Sequence, residues 1–175
     1  MRIAKRAAQS TDSAELQLRP IRVATVLRNL QASYVPERAI SVGLDVDESL
    51  HVLADEAVLG SAIGNLLDNA IKFSRSGGRV VLRCRAEDLG VVIEVEDECG
   101  GIDDATVTES FSPSASADSR PRTLGSGLTM AKRAVDAMGG AAYVENRPGL
   151  GCTFALLFPP AQKRASSAPP PLPRY

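Results

Sequence analysis

The sequence predicts an α+β fold: a two-layer α/β sandwich whose mixed, largely antiparallel sheet carries its helices on one face. Three observations predict it. Apolar residues recur at helical period from Val58 to Ile71. Two pairs of alternating apolar segments, one between Val80 and Val95 and one between Tyr143 and Phe158, are each joined by only a few residues, the spacing of antiparallel hairpins. The order helix, strands, helix, hairpin, loop, helix, hairpin then places hairpins between helices, which a doubly wound parallel sheet does not do.

Bulk properties narrow the function classes. At 175 residues with 44% hydrophobic content, the chain fits one domain of ordinary size with a sizeable core. A formal net charge of -1 gives no reason to expect nucleic acid or direct membrane contact, and the lack of tryptophan argues against base stacking. Cys84, Cys99 and Cys152 are odd in number and form no CxxC pair, so neither a disulfide framework nor a zinc site is expected, and a reducing compartment is. No apolar run is long enough to cross a bilayer and no signal peptide is visible. The expected location is the cytoplasm, with an anchor elsewhere in a parent protein left open.

In chain order, residues 1–19 are polar and read as a tail or the remnant of a preceding helix, and residues 20–160 as the folded domain. From Ile21, the spacing of Val23, Val26, Leu27 and Leu30 predicts a helix, with Pro20 as its start signal and Pro36 as its end. Ile40, Val42, Leu44 and Val46 alternate as in a half-buried strand, and His51–Ala54 forms another. Asp55 stands where the N-cap of the Val58–Ile71 helix belongs, with Glu56 in its first turn and Gly77-Gly78 beyond its end. In the first hairpin, opposed arginines (Arg83, Arg85) and glutamates (Glu94, Glu96) help set the register. From Asp103 to Leu124 regularity fades, apart from a short helical possibility near Asp104–Thr108. Loops of that length are functional or disordered. Leu128, Ala131, Val135 and Met138 line one face of a last helix, closed by Gly139-Gly140. Residues 161–175, with Pro169-Pro170-Pro171, form a Pro/Ser-rich disordered tail.

Three places carry chemistry. Asn65, Asn69 and Lys72 fall at i, i+4 and i+7, on a ridge away from the apolar stripe. Two carboxamides and an ammonium suit an anion with a bound hard cation, and a solvated polar face is the competing explanation. Asp97 ends a strand and is followed by Glu98-Cys99-Gly100-Gly101-Ile102. A carboxylate there can accept from an exocyclic amine, and glycines let the backbone approach a ligand. Gly125-Ser126-Gly127-Leu128 opens a helix, whose free N–H groups and dipole favour phosphate. Each is weak alone.

Taken together and in order, they resemble the ATP-binding catalytic domain of bacterial sensor histidine kinases, in the wider family that includes gyrase, Hsp90 and MutL, with its Bergerat-type ATP-binding fold. N-L-L-D-N-A-I-K-F-S resembles that family's asparagine box, D-E-C-G-G-I its first glycine box and G-S-G-L-T-M-A-K its second. N-R-P-G-L-G-C-T-F-A-L-L-F-P is similar to its terminal hairpin. The resemblance covers about Leu18 to Pro160. It implies ATP and Mg2+ as cofactors, with Asn69 as the magnesium ligand and Asn65 and Lys72 as the catalytic pair supporting the phosphates. It also implies that Phe73 lines the cleft, that Asp97 reads the adenine amine, and that Gly101 and Ile102 shape the pocket. Gly125, Ser126, Gly127 and Leu128 would approach the triphosphate, Cys152 would lie near the adenine, and Asp103–Leu124 would form a mobile lid carrying Arg120 and Arg122.

Hydrolytic and serine-kinase relatives carry a glutamate where Asn65 stands. An amide cannot take up a proton there, so the resemblance favours transfer to a histidine over hydrolysis. The only histidine, His51, sits in an expected core strand with a structural role. The acceptor is therefore expected on a separate dimerisation and phosphoacceptor domain or chain, with a response regulator receiver domain downstream. Cys99 stands where the family's first glycine box has glycine, Thr129 replaces a small residue in the second, and Cys152 replaces a threonine. The serine-rich lid has only Phe111 for the family's phenylalanine-rich patch. Such changes would weaken nucleotide binding without altering the fold. The alternative is a degenerate kinase-like domain that senses nucleotide or binds protein without phosphotransfer.

Overall fold

A computed structural model describes residues 16–35, 39–101 and 125–160. Among them, β1 (Arg19–Arg22), α1 (Val23–Ser33), β2 (Ser41–Val46), β3 (His51–Ala54) and α2 (Glu56–Phe73) come first. They are followed by β4 (Arg79–Glu87), β5 (Gly90–Glu96), α3 (Gly125–Ala137), β6 (Ala141–Arg147) and β7 (Gly151–Phe158). The Pro36 stop signal, Ile102, the Asp103–Leu124 segment with Arg120 and Arg122, and residues 161–175 lie outside the described residues.

The main sheet has the order β2-β4-β5-β7-β6. Only β2 and β4 pair in parallel; β4–β5, β5–β7 and β7–β6 are antiparallel, which is the mixed sheet the hairpins predicted. Alternation decides the two faces. Leu82, Cys84, Ile93, Val95, Phe154 and Leu156 point into one buried cluster shared with Leu59, Ile63 and Leu66 of α2 and Leu128 and Val135 of α3. The opposite face carries a cross-strand charge ladder. Arg83 faces Glu94 in register and pairs with Glu96, while Arg85 pairs with Glu94 at 2.8 Å. Arg147 of β6 also pairs with Glu96. A small apolar patch of Val92, Ala155 and Leu157 continues that face.

The asparagine-bearing helix is fixed from both ends. Asp55 accepts the N–H groups of Ala57 and Val58 at 3.1 and 3.2 Å, satisfying donors that the first helical turn cannot. The backbone N–H of Gln17 donates to the other Asp55 oxygen at 3.0 Å. Ser74 caps the far end through its N–H to the Ala70 carbonyl, and Gly77 turns the chain with φ 77°.

Two local expectations are corrected. The residues from Arg19 to Arg22 are a strand, not a helix start, because they pair antiparallel with β3. Backbone pairing across the sequence outweighs the local Pro20 signal, and Leu16 and Leu18 pack against the core just before it. His51 lies in β3 as expected but is exposed, with its Nδ1 2.8 Å from the Ser49 carbonyl. In an edge pairing of four residues, Val52 and Ala54 supply the buried side, so His51 falls on the solvent side.

Candidate functional site

The fold brings the glycine-rich helix start onto the asparagine ridge. A Cβ built on Gly127 would stand 3.6 Å from Asn65 Cβ and 3.6 Å from Asn69 Nδ2. Leu128, the next residue, is buried and anchors α3 in the core beside α2. The ridge therefore lies under the first turn of α3, where backbone N–H groups lack intrahelical partners. Gly125 and Ser126 open that turn. Asn69 Nδ2 is buried and has no hydrogen-bond partner among the described residues. A buried unpaired amide is rare in folded proteins and marks a group whose partner is a ligand, a water or an ion. Lys72 is exposed at the end of the ridge, its Nζ 5.2 Å above the ring centroid of half-buried Phe73.

Asp97 sits one residue past β5. Its N–H continues the ladder to the Cys152 carbonyl at 2.9 Å. Its side chain is 3% exposed, and Oδ1 accepts from Cys99 N–H at 2.9 Å and Cys152 N–H at 3.1 Å. Two amides from different elements thus aim the carboxylate. The glycine turn after it is held against the β6–β7 connection: Gly149 N–H donates to the Gly100 carbonyl at 2.8 Å. Gly101 has φ 93°, and a Cβ there would stand 2.9 Å from Pro148 Cα. Only glycine combines that backbone conformation with that approach.

The asparagines of the ridge, Gly127 and Leu128 are thus brought together. Asp97 and Cys152 are joined by hydrogen bonds, Gly101 lies against the β6–β7 connection beside them, and α2 packs on β5, the strand that leads into Asp97. Sequence reasoning treated Cys99 and Cys152 as separate departures and missed that their sulfurs meet, 3.3 Å apart. It also missed Asn146, whose Oδ1 is 3.6 Å from Cys152 Sγ. Nothing in the spacing of residues 99, 146 and 152 signals that contact; it follows from the Asp97 turn lying over the start of β7. Burial, then the hydrogen bond to Asp97, pushes the Cys99 thiol up from its ordinary value. Burial also pushes Cys84, remote in β4, up to about 12.

A family described as histidine kinase-, DNA gyrase B-, and HSP90-like ATPase matches residues 54–162. The chain is 29% identical over 153 residues to the alginate biosynthesis sensor protein KinB of Pseudomonas aeruginosa, covering 85% of this chain and 26% of KinB. Among solved structures, the nucleotide-free catalytic domain of histidine kinase ThkA superposes with a TM-score of 0.71 at 21% identity, covering 82% of this chain and 97% of that domain. ThkA also superposes, at 0.71 and 20% identity, in its complex with response regulator protein TrrA, covering 85% of this chain and 43% of that one. Full-length ShkA in complex with AMPPNP gives a TM-score of 0.70 at 31% identity, covering 86% of this chain and 34% of ShkA. The chain thus spans about a quarter of KinB and a third of ShkA.

Proposed function

The chain belongs to the histidine kinase-, DNA gyrase B-, and HSP90-like ATPase family, and from that membership we propose that it is the ATP-binding catalytic domain of a two-component sensor histidine kinase. It would pass the γ-phosphoryl group of ATP to a histidine on a separate domain or chain. The observation that carries this is the seating of Gly127 on Asn65 and Asn69, with Asn69 Nδ2 buried and unpaired. A helix start above two amides and near a lysine has the donors and the field to take a triphosphate.

The donor set suits magnesium held mainly by the nucleotide. Asn69 offers an amide oxygen, a hard ligand, and the exposed Asp68 lies on the same flank of the helix, beside Asn65 and Lys72. Magnesium, when bound, would neutralise charge on the phosphate oxygens. The chain's own contribution would be orientation: Asn65 and Lys72 on the phosphates, the first turn of α3 closing over them, and Phe73 beside them. At the other end Asp97, aimed by two backbone amides, would accept from the adenine amine, with Gly101 and Cys152 bounding the pocket and Ile102 beside it. The catalytic unit we assign is residues 20–160, with Leu16–Arg19 packed onto it and 1–19 and 161–175 as flanks.

Asn65 supports phosphotransfer over hydrolysis, since an amide cannot serve as the base that activates water. The partners we infer are a histidine-bearing dimerisation domain and a receiver domain; the ThkA–TrrA complex supports the second by analogy. No helix among the described residues is long and apolar enough to cross a membrane, which accords with a proposed cytoplasmic site of action. The thiols beside Asp97 favour a second reading, a nucleotide-sensing module without phosphotransfer.

Two measurements test the assignment. Calorimetric titration of an ATP analogue, with and without magnesium, should show saturable binding that magnesium tightens and Asp97→Asn weakens. Labelled ATP mixed with the chain and a separately supplied histidine hairpin should then yield acid-labile label on the hairpin. Binding without transfer would leave the sensing module; release of free phosphate without an acceptor would indicate a hydrolase.

A further inference from the structure

Two thiols meet beside Asp97 that the phosphotransfer assignment does not use. Cys99 lies in the turn after β5 and Cys152 is the second residue of β7. Their sulfurs are 3.3 Å apart, and together with an Asp97 carboxylate oxygen they all lie within 4.8 Å of one another. Cys152 and Asp97 are buried and Cys99 is partly so. The trio is held in place by its own backbone, since both cysteine N–H groups donate to Asp97 Oδ1. Asn146 Oδ1, 3.6 Å from Cys152 Sγ, supplies a further oxygen at the rim.

Such a pair can close into a disulfide or open around a cation, and the distances separate the two. A disulfide needs sulfurs about 2.05 Å apart, a closure of about 1.2 Å. The backbone has little room left to move closer, since a Cβ on Gly151 would stand 1.8 Å from the Asp97 carbonyl oxygen and one on Gly101 2.9 Å from Pro148 Cα, so that closure would have to come from the cysteine side chains alone. A tetrahedral cation with metal–sulfur bonds of about 2.3 Å holds its sulfurs about 3.8 Å apart. That is an opening of about 0.5 Å, within reach of side-chain torsions. Two sulfurs and a carboxylate oxygen, with one position left for Asn146 or water, form a set that prefers zinc-like ions to magnesium. Sequence spacing argued against a zinc site because no CxxC pair exists; the fold supplies the proximity instead.

We propose that Asp97, Cys99 and Cys152 bind a thiophilic divalent cation of the zinc type, and that its presence excludes nucleotide. Each thiol gives up its proton to solvent on binding, so two protons leave per ion. Exclusion rests on the proposed role of Asp97: an oxygen bound to the cation no longer offers its lone pair and charge to an amine.

The test uses the full 175-residue chain, reduced and stripped with chelator, and Cd2+ as the probe. Titration should give one ion per chain with a thiolate-to-metal absorption band. The band should vanish in Cys99→Ser and Cys152→Ser, persist in Cys84→Ala, and need at least tenfold more Cd2+ in Asp97→Asn. In the wild type, where no variant need fold, Zn2+ should protect Cys99 and Cys152 from alkylation read by mass spectrometry, leaving Cys84 as before. ATP-analogue affinity of the desalted Cd2+-loaded chain should fall at least tenfold. Absence of the band, its survival in both serine variants, or a Cys99–Cys152 disulfide forming in place of metal uptake would overturn the site. Simultaneous, independent binding of cation and nucleotide would overturn the exclusion. Cation uptake by a chain that binds no nucleotide would instead sink the ATP assignment and leave the metal site standing.

Discussion

Asn69→Leu should make the free domain more stable while removing its magnesium-dependent nucleotide binding. The buried Nδ2 of Asn69 has no partner among the described residues, and an orphaned buried donor costs about 1–3 kcal/mol. Leucine has the same branching and number of heavy atoms, though bulkier ones, removes that donor, and is the better helix former by a few tenths of a kcal/mol. Gly127, the neighbour facing Nδ2, has no side chain to obstruct the added bulk on that side. Because Asn69 is only half-buried overall, the gain is set near the lower end, about 1–2 kcal/mol. Unfolding entropy near 2.1 cal/mol/K per residue makes this roughly a 3–6 °C rise in melting temperature for a domain of this size.

The assay pairs thermal unfolding monitored by circular dichroism with ATP-analogue titration in magnesium and in EDTA. Affinity in magnesium should fall about a hundredfold, equivalent to about 2.7 kcal/mol, and the magnesium-dependent increment should disappear. The two signs oppose each other, which a purely structural asparagine would not produce. A drop in stability of more than 1 kcal/mol would show that Nδ2 is satisfied in the fold. Magnesium-enhanced binding that survives Asn69→Leu would remove the ridge from the nucleotide site altogether.

Other expectations follow from the same geometry. Asp97→Asn should lower nucleotide affinity about 10- to 100-fold, the worth of a hydrogen bond to a charged group; the melting temperature should change little, because an amide oxygen can still accept from Cys99 and Cys152. Gly101→Ala should lower stability by about 2–4 kcal/mol in urea unfolding, combining left-handed strain with a backbone contact, and should weaken nucleotide binding in the ATP-analogue titration. Glu96 should govern part of the acid unfolding. Burial raises its pKa, but hydrogen bonds from Arg147 and Arg83 outweigh burial and hold it below the ordinary 4.5. A depressed carboxylate stabilises the fold above pH 4.5 and loses that contribution as pH falls through the folded value. Glu94, raised mainly by burial despite Arg85, works in the opposite sense. Glu96→Gln should therefore flatten the acid limb of a stability–pH curve, and an unchanged limb would remove this ion cluster from acid unfolding.

Periodicity and punctuation determined most of the secondary structure and the sheet's character. The Val58–Ile71 stripe, the Asp55 cap, both hairpins and the Gly139-Gly140 stop are local features, and local features are written in adjacent residues. The three polar motifs were legible for the same reason: Asn65 and Asn69 are one helical turn apart, and Asp97 and Gly101 share one turn of chain. Tertiary structure alone decided three things. It made Arg19–Arg22 a strand, because the pairing partner lies some thirty residues away in β3. It left Asn69 Nδ2 buried beneath α3 without a partner among the described residues, because α3 arrives from far along the chain. It also set Cys99 against Cys152, since β5 and β7 become neighbours only when the sheet closes. Side-chain period fixes which face a residue occupies, but only strand order and the docking of α3 fix which distant face it meets.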